Sequence, residues 1–265
     1  MIHPTALIDT EAEIEEGVEI GPYSVIERGV RIGRGTKIGP HVVIREGTQI
    51  GKRCQIFQFA SIGEAPQAFA YQGEKTLLLI GDQNIVREFV TLHRGTPHGG
   101  GKTIIGNGNY FMAYSHVAHD CQIGNQVILA NGATLAGHIL IEDYAIIGGL
   151  SAVHQFCQIG THAFISGLTG VTLDIPPYML ASGSRAKLFG LNTVGLKRAN
   201  FSEETMKVLK KAYRIIFRSG LTLEKAMKRI WEDQIFQTPE VQHLLHFIQH
   251  SKRGCLLYTS DAADE

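Results

Sequence analysis

An apolar, mostly aliphatic residue recurs every six positions through about two thirds of the chain. Neither the helical period of about 3.6 nor the strand alternation of 2 gives this spacing, whereas a parallel β-helix does, with one hexapeptide for each flat face and three faces per turn. The repeated positions are Ile2, Ile8, Ile14, Ile20, Ile26, Ile32, Ile38, Ile44, Ile50, Ile56, Ile62, Ile80, Val86, Leu92, Ile105, Phe111, Val117, Ile123, Leu129, Leu135, Ile141, Ile147, Val153, Ile159, Ile165 and Val171. The sequence therefore predicts an all-β fold, a parallel β-helix, over residues 1–185.

The repeat has two interruptions, residues 63–79 and the glycine-rich residues 95–103, which we expect to be loops. After the last hexad the apolar spacing becomes helical, so residues 186–253 are predicted to form a small C-terminal helical domain. Its helices are expected after the N-cap Ser202 as far as Ser219 and Gly220, from Thr222 to about Asp233, and from Thr238 with Pro239 in the first position. Residues 254–265 continue none of these patterns and are interpreted as a non-native tail.

The charge balance gives no sign of a nucleic-acid-binding protein. Lys plus Arg number 25 and Asp plus Glu number 25, so there is no overall basic field. No secretory signal and no run of about 18 apolar residues is present, so we expect no integral membrane segment and a cytoplasmic location. The four cysteines have no metal-ligand spacing and are interpreted as reduced core residues.

Counting in turns of the coil brings several histidines to one edge. Three hexads of six residues make 18, so residues 18 apart are expected to stack in neighbouring coils about 5 Å apart. One column then contains Ile62, Leu92, Val117, Leu135, Val153 and Val171. His93, His119, His138 and His154 follow members of this column closely, and His116 precedes one. Both interruptions leave the same face, so the edge is predicted to be a partly walled cleft for a ligand or a neighbouring subunit.

This edge carries the residue types that acyl transfer requires. Histidine can accept and return a proton near neutral pH, and Asp120 directly follows His119, where a carboxylate could orient the imidazole if a corner of the coil lies between them. Gly137 has no side chain to block its amide, which could donate to an oxyanion. Each residue also has a plainer interpretation: the histidines as ordinary polar residues, and Gly137 as a turn glycine.

Seven segments carry a resemblance to a known family. They are QFASIGEAPQ (58–67), TLHRGT (91–96), SHVAHDC (115–121), LAGH (135–138), IIGGLSAVHQF (146–156), DIPPY (174–178) and GLNTVGLKR (190–198). Together they resemble the UDP-N-acetylglucosamine O-acyltransferases of lipid A biosynthesis, a family of hexapeptide-repeat acyltransferases, over nearly all of residues 1–253. The resemblance implies a left-handed β-helix, a homotrimer with active sites between subunits, and no cofactor.

The resemblance also implies a reaction and roles for individual residues. A 3-hydroxyacyl chain would move from acyl carrier protein to the glucosamine 3-position of UDP-N-acetylglucosamine. His119 matches the general base, Asp120 its orienting carboxylate, and Gly137 the oxyanion-binding amide. The substrate-binding positions are matched by Gln67 in the covering loop, by His93, His116, His138, His154 and Gln155 in the cleft, and by Asn192 and Arg198 for the nucleotide sugar. Gly167 matches a position that limits acyl length, where glycine leaves room for a longer chain.

The chain departs from some members at three substrate-facing positions. Val194 replaces an acidic residue, and Ala68 and Ala70 replace an acidic residue and a lysine in the covering loop. The acceptor could therefore carry a 3-hydroxyl or a 3-amine. Basic residues that could attract the acidic acyl carrier protein are Lys197, Arg198, Lys207, Lys210, Lys211, Arg214 and Arg218.

Three other functions stay open at the level of sequence. A related acyltransferase could act on a different amino sugar. The histidines could instead hold zinc, as in a β-helix enzyme resembling the γ-class carbonic anhydrases. The coil could also be a scaffold without catalytic activity.

Overall fold

The protein is described from a computed structural model over residues 1–233 and 235–256. Its described strands, which are parallel except for Lys187–Leu191, form three sheets that wind around one coil. The first sheet contains Leu7–Ile8, Val25–Ile26, Val43–Ile44, Ser61–Glu64, Thr91–His93, His116–Val117, Thr134–Leu135, Ala152–Val153 and Gly170–Val171. The second contains Glu13–Ile14, Arg31–Ile32, Thr48–Ile50, Leu77–Ile80, Lys102–Ile105, Gln122–Ile123, Leu140–Ile141 and Gln158–Ile159. The third contains Glu19–Ile20, Lys37–Ile38, Gln55–Ile56, Ile85–Val86, Tyr110–Phe111, Ile128–Leu129, Ile146–Ile147, Phe164–Ile165, Met179–Ser182 and Lys187–Leu191.

The six-residue period produces this architecture because most strands are two residues long and only the second residue faces inward. Ile44 and Leu135, for example, are fully buried, and the repeated positions from Ile20 onward form one continuous apolar core. Leu92 pairs with Ile62 and with Val117, and Leu135 pairs with Val117 and Val153. The predicted parallel β-helix and the predicted column are therefore confirmed.

Both interruptions leave the corner where the first sheet passes into the second. One joins Ser61–Glu64 to Leu77–Ile80, and the other joins Thr91–His93 to Lys102–Ile105 and includes a short 3₁₀ helix, Pro97–Gly99. The strands extend into the ends of the predicted loops, since Leu77–Ile80 and Lys102–Ile105 pair with each other over four residues. The hexad pattern does not reveal this longer pairing, because it marks only the inward residue of each face.

The described residues of the C-terminal part form four α-helices: α1 (Thr193–Arg198), α2 (Glu203–Phe217), α3 (Leu223–Glu232) and α4 (Pro239–His250), with a 3₁₀ turn at Ile235–Gln237. The side chains of Ser202 and Thr222 cap α2 and α3, and Pro239 opens α4, as the sequence predicts. The sequence pattern does not predict α1. The predicted domain boundary after residue 185 falls inside an antiparallel hairpin, Met179–Ser182 with Lys187–Leu191, which continues the third sheet.

The end of the described chain packs against the coil. Asp174 donates its backbone N–H to the carbonyl of Gly254, and Leu256 donates its own to the carbonyl of Asp174. Residues 254–256, which the sequence analysis assigned to the tail, therefore have ordinary backbone partners, and residues 257–265 lie outside the described part of the chain. Within the described ranges, none of the helices has the length and apolar character needed to cross a membrane.

Candidate active site

His119 and Asp120 occupy a turn at the corner where the first sheet passes into the second, which we call the His119 corner. Asp120 has a φ of 62°, in the left-handed region. This turn ends the alternation that sends adjacent strand residues to opposite faces, so the two side chains meet. His119 Nδ1 lies 2.8 Å from Asp120 Oδ2. The contact that the sequence leaves undecided is therefore present.

The carboxylate of Asp120 is completely buried and surrounded by donors. The backbone N–H of Thr96 donates to Oδ1 at 2.8 Å, and the Thr96 hydroxyl donates to Oδ2 at 2.6 Å. The backbone of Asp120 is held as well, because its N–H donates to Thr103 Oγ1 at 2.8 Å. Gly99 passes so close that a side chain there would overlap the carboxyl group. The second loop thus fixes the carboxylate through Thr96. The sequence pattern does not predict this role of Thr96.

These contacts determine which nitrogen of His119 is free to act as a base. Asp120 offers only acceptor oxygens when ionised, so the hydrogen in the 2.8 Å contact comes from His119 Nδ1. In the neutral ring Nε2 is then unprotonated. The side chain of His119 is about one sixth exposed, at 16%. A substrate can therefore reach Nε2 of His119. The carboxylate of Asp120 would stabilise the imidazolium that forms when Nε2 accepts a proton.

Gly137 lies against the ring of His119 in the next coil. A Cβ atom at residue 137 would stand 2.5 Å from His119 Cε1 and 2.9 Å from Nε2. Only glycine lets the imidazole keep this position. The N–H of Gly137 donates to none of the described residues, although the neighbouring N–H of His138 donates to the His119 carbonyl at 3.0 Å. An amide donor without a protein partner thus lies beside the predicted base.

His138 completes the wall of the site beside Asp120. Its Nε2 lies 3.7 Å from Asp120 Oδ2, and its ring meets that of His119 edge to face with centroids 5.1 Å apart. Phe156 stacks on the other side of His138, with centroids 4.6 Å apart. Burial lowers the pKa of His138, and the attraction of Asp120 opposes that shift only in part. Phe156 is not among the predicted site residues, although it lies 18 positions after His138 and so in the same column.

His93 and His116 form a second pair farther along the same edge. Their rings meet edge to face with centroids 4.9 Å apart, and His116 Nδ1 lies 2.6 Å from Thr91 Oγ1. Burial, assisted by repulsion from His116, lowers the pKa of His93 to about 4. Burial and the neighbouring His119 likewise lower the pKa of His116. Both rings are therefore neutral at pH 7 and suit hydrogen bonding rather than attraction of an anion.

The remaining predicted residues of the cleft lie at its margins. His154 and Gln155 are exposed at the same corner one coil beyond His138, where His154 Nδ1 lies 3.2 Å from the Gln155 carbonyl. Gln67 is exposed on the first loop. Gly167 lies at a different corner, between the strands Phe164–Ile165 and Gly170–Val171, and is exposed there. None of these residues directly contacts the His119 and Asp120 pair.

Asn192 and Arg198 lie on another side of the coil. Asn192 caps α1 by accepting the N–H of Gly195 at 3.0 Å, and its Nδ2 donates to the carbonyl of His162 at 3.0 Å. A cavity of about 540 Å³ lies between α1 and the third sheet and is lined by Asn192, Val194, Arg198, Tyr144, His162 and Phe164. The third sheet is opposite the His119 corner in a three-sided coil. A single chain therefore does not bring Asn192 and Arg198 close to the His119 corner.

His119, Asp120 and His138 are also close enough to share a metal ion, with candidate ligand atoms within 4.8 Å of one another. Asp120 already accepts hydrogen bonds from the Thr96 N–H, the Thr96 hydroxyl and His119. A zinc ion would have to replace the contact between His119 and Asp120 in order to bind both side chains through these atoms. The geometry thus matches an orienting carboxylate better than a set of metal ligands.

Comparison with known families agrees with both parts of the chain. The family described as "Bacterial transferase hexapeptide (six repeats)" matches residues 11–46 and 102–137. The family described as "Udp N-acetylglucosamine O-acyltransferase; Domain 2" matches residues 174–256. The second match includes the hairpin after Met179, all four helices and the pairing of residues 254–256 with Asp174.

Individual relatives cover nearly the whole length. The acyl-[acyl-carrier-protein]--UDP-N-acetylglucosamine O-acyltransferase of Janthinobacterium sp. (strain Marseille) is 52% identical over 259 residues, covering 97% of this chain and 99% of the relative. The enzyme of the same name from Myxococcus xanthus is 55% identical over 253 residues, with 96% and 98% covered. The crystal structure of UDP-N-acetylglucosamine O-acyltransferase from Moraxella catarrhalis superposes with a TM-score of 0.93 at 45% identity, covering 96% of this chain and 99% of that one. The predicted left-handed coil with a helical C-terminal part is confirmed.

Proposed function

The chain belongs to the family of acyl-[acyl-carrier-protein]--UDP-N-acetylglucosamine O-acyltransferases, and we propose that His119 is the general base of this reaction. The acyl group is a 3-hydroxyacyl chain carried by acyl carrier protein, and the acceptor is the glucosamine 3-position of UDP-N-acetylglucosamine. This is the first step of lipid A biosynthesis. The observation that carries the proposal is the contact of 2.8 Å between His119 Nδ1 and the buried carboxylate of Asp120, beside the glycine amide of residue 137.

The chemistry follows from the two nitrogens of His119. Nε2 accepts the proton of the acceptor hydroxyl while its oxygen attacks the thioester carbonyl carbon, and the carboxylate of Asp120 stabilises the imidazolium that forms. A carbon–oxygen bond forms and the carbonyl oxygen becomes an oxyanion, which accepts a hydrogen bond from the N–H of Gly137. The carbon–sulfur bond then breaks, and the departing thiolate takes the proton from His119. The products are the acylated sugar and the free thiol of the carrier.

The other residues of the corner bind substrate. His93, His116 and His138 have lowered pKa values and act as neutral hydrogen-bonding groups toward the substrate. His154, Gln155 and Gln67 extend the cleft at its margins. Asn192 and Arg198 hold the nucleotide part of the acceptor, UDP-N-acetylglucosamine, in the cavity between α1 and the third sheet.

A homotrimer with active sites between subunits accounts for the separation of the two groups. His119 lies at one corner of the coil, while Asn192 and Arg198 lie on the opposite face. If the His119 corner of one copy meets the third-sheet face of the next, both groups reach one substrate. Such a head-to-tail contact closes into a ring when the rotation is suitable, and three copies form the smallest ring beyond a dimer.

Two finer features of the substrates are also proposed. Gly167 leaves space for a long acyl chain, and a preference for short-chain donors in a series of acyl carrier protein substrates would contradict this. Val194 lines the nucleotide cavity where some relatives have an acid, so the choice between a 3-hydroxyl and a 3-amine acceptor is open to a direct assay with both. The acceptor with a 3-hydroxyl is the one that the names of the relatives imply.

The exposed basic side chains of α2, Lys207, Lys210, Lys211 and Arg214, form the proposed docking surface for the acidic carrier protein. Lys211 also pairs with Asp233 at 3.0 Å, so it contributes less free charge than its neighbours. Charge reversal at Lys210 is expected to raise the KM for the carrier. The cytoplasm is the proposed location, since Cys54, Cys121 and Cys157 are free and buried, as in proteins of reducing compartments.

The experiment that tests the proposed function is replacement of His119 by alanine in an assay with acyl carrier protein and UDP-N-acetylglucosamine. Acyl transfer should be lost while the fold persists. Stoichiometric zinc in the purified protein, together with loss of activity on chelation, would favour the metal enzyme instead.

A further inference from the structure

A pair of basic residues, Lys252 and Arg253, lies at the cavity beside the His119 corner. This cavity has a volume of about 460 Å³, and its lining includes Asp120, His138, Gln158, Lys252 and Arg253. It follows the second sheet across successive coils, from the level of Gln122 to that of Gln158. The basic pair has no role in the chemistry described above.

The coil places the basic pair at a defined distance from the reacting groups. Gln122, Leu140 and Gln158 occupy successive strands, and Ile159 pairs with Ile175 in the next coil. Asp174, in that coil, pairs with Gly254. Three strand spacings therefore separate the level of Asp120 from that of the basic pair, which is about 15 Å.

Asp174 anchors the chain on both sides of the pair. Ser251 donates its hydroxyl to Asp174 Oδ2 at 2.6 Å, and the N–H of Asp174 donates to the carbonyl of Gly254 at 3.0 Å. Arg253 is oriented as well, because its Nε donates to the carbonyl of Thr172 at 2.6 Å. Arg253 is thus fixed at the cavity, and Lys252 belongs to a backbone segment that is anchored on both sides.

The charges around the pair favour an anionic ligand. The carboxylate of Asp174 is buried and accepts hydrogen bonds from Ser251 and from the N–H of Gln158, at 2.6 and 2.7 Å. Among the described residues, Asp120 is the only acid in the cavity lining, and it is bonded to Thr96 and His119. Within residues 1–233 and 235–256, neither Lys252 nor Arg253 forms an ion pair.

We propose that Lys252 and Arg253 bind the phosphate group of a substrate whose reacting end lies at His119. The inference rests on the proposed function, in which both substrates carry phosphate. The donor is the better match, because its thioester is attached to the carrier protein through a pantetheine arm that ends in a phosphodiester, and an extended arm spans about 15 Å, the reach of four or five extended residues. The nucleotide diphosphate is the other source of the same chemistry, although Asn192 and Arg198 are the residues proposed for it.

The test compares Lys252→Ala and Lys252→Glu with the unmodified chain, using three substrates in turn. The donors are an acyl-phosphopantetheine and the corresponding acyl-pantetheine without phosphate, and the acceptor is UDP-N-acetylglucosamine. We expect the KM for the phosphorylated donor to rise about 5-fold in Lys252→Ala and further in Lys252→Glu, with no rise for the phosphate-free donor. Arg253→Gln should act in the same direction. Lys228→Ala, an exposed lysine of α3, is the matched control and should change neither KM.

The possible results separate the two phosphate sources. A rise in the KM for UDP-N-acetylglucosamine with both donors would assign the pair to the nucleotide diphosphate. Unchanged KM values for all three substrates in both Lys252 variants would overturn the inference, as would an equal rise with the phosphate-free donor, which would indicate a packing role. Failure of the proposed function is distinguishable, because His119→Ala would then retain acyl transfer whatever the Lys252 variants do.

Discussion

His119 Nδ1 and Asp120 Oδ2 lie 2.8 Å apart although the two residues are adjacent in the chain. Adjacent residues of a strand point to opposite faces, and it is the left-handed turn at Asp120, with a φ of 62°, that brings the two side chains together. Thr96, from the second loop, then holds the carboxylate with two hydrogen bonds. A corner of the coil thus brings together the proposed base and its proposed orienting group, and a loop holds the carboxylate in place.

Replacing Asp120 by asparagine tests the orienting role. The amide keeps the size of the side chain but removes the charge that stabilises the imidazolium, and it favours the wrong tautomer of His119. We expect kcat to fall by at least about 10²-fold, with a smaller change in KM. Thr96→Val removes only one hydrogen-bond donor to the carboxylate, so it should lower kcat by a smaller factor than Asp120→Asn. A kcat within 3-fold of the unmodified enzyme in Asp120→Asn, roughly 0.7 kcal/mol, would contradict the role.

Gly137→Ala tests the close contact between the coils. The added Cβ atom would lie 2.5 Å from His119 Cε1, so the imidazole must move, and a displacement of about 1 Å can cost 10²-fold in rate. Steady-state kinetics should show a large loss of kcat. Gly149→Ala provides the control, since a Cβ atom there meets nothing closer than the Asn131 carbonyl at 3.2 Å. Equal activity in the two variants would contradict the prediction, because it would show that the His119 ring can accommodate a Cβ atom at residue 137 without losing its function.

The neutral histidines predict a dependence of stability on pH. His93 has a pKa of about 4 in the folded protein and an ordinary value near 6.5 when unfolded, so the unfolded chain binds an extra proton between these values. The contribution of neutral His93 to the free energy of unfolding should therefore be fully present above pH 6.5 and should be lost as the pH falls towards 4. His93→Gln should lose roughly 2 kcal/mol less stability than the unmodified protein between pH 7 and pH 5, measured by denaturant unfolding. In the control His98→Gln, an exposed loop residue, the pH profile should match that of the unmodified protein; the same profile in His93→Gln would contradict the prediction.

Mixed oligomers test whether the active site is shared between subunits. His119→Ala and Arg198→Ala should each be nearly inactive alone, because each removes one of the two separated groups. When the two variants are co-expressed with different tags and the mixed species is purified, a site that combines His119 of one copy with Arg198 of another is restored. We expect a measurable fraction of the unmodified activity. No recovery in the verified mixed oligomer would contradict a site that combines His119 of one copy with Arg198 of another.

The sequence predicted the coil and its register because the hexapeptide period is set by backbone geometry. Pairing of Leu92 with Val117 follows from counting across the second loop, and so does the shared edge of His119 and His138. The period contains no information about segments that leave it. Thr96 and its bonds to Asp120 belong to such a segment, which has no repeat to mark its position.

Two other features were missed for related reasons. Phe156 lies in the column of His138, but a stacking contact depends on ring orientation, which spacing does not specify. The hairpin Met179–Ser182 with Lys187–Leu191 reverses the strand direction after the last hexad, so a boundary drawn where the period stops divides it. The separation of Asn192 from the His119 corner likewise required the complete fold.

The rate of acyl transfer by His119→Ala tests the general-base proposal most directly. The assay uses acyl carrier protein loaded with a 3-hydroxyacyl chain and UDP-N-acetylglucosamine, with Tm and oligomeric state measured on the same preparation. The account predicts a loss of about 10² to 10⁴-fold in kcat, with Tm and assembly unchanged. Acyl transfer within a few-fold of the unmodified rate by the folded variant would contradict it.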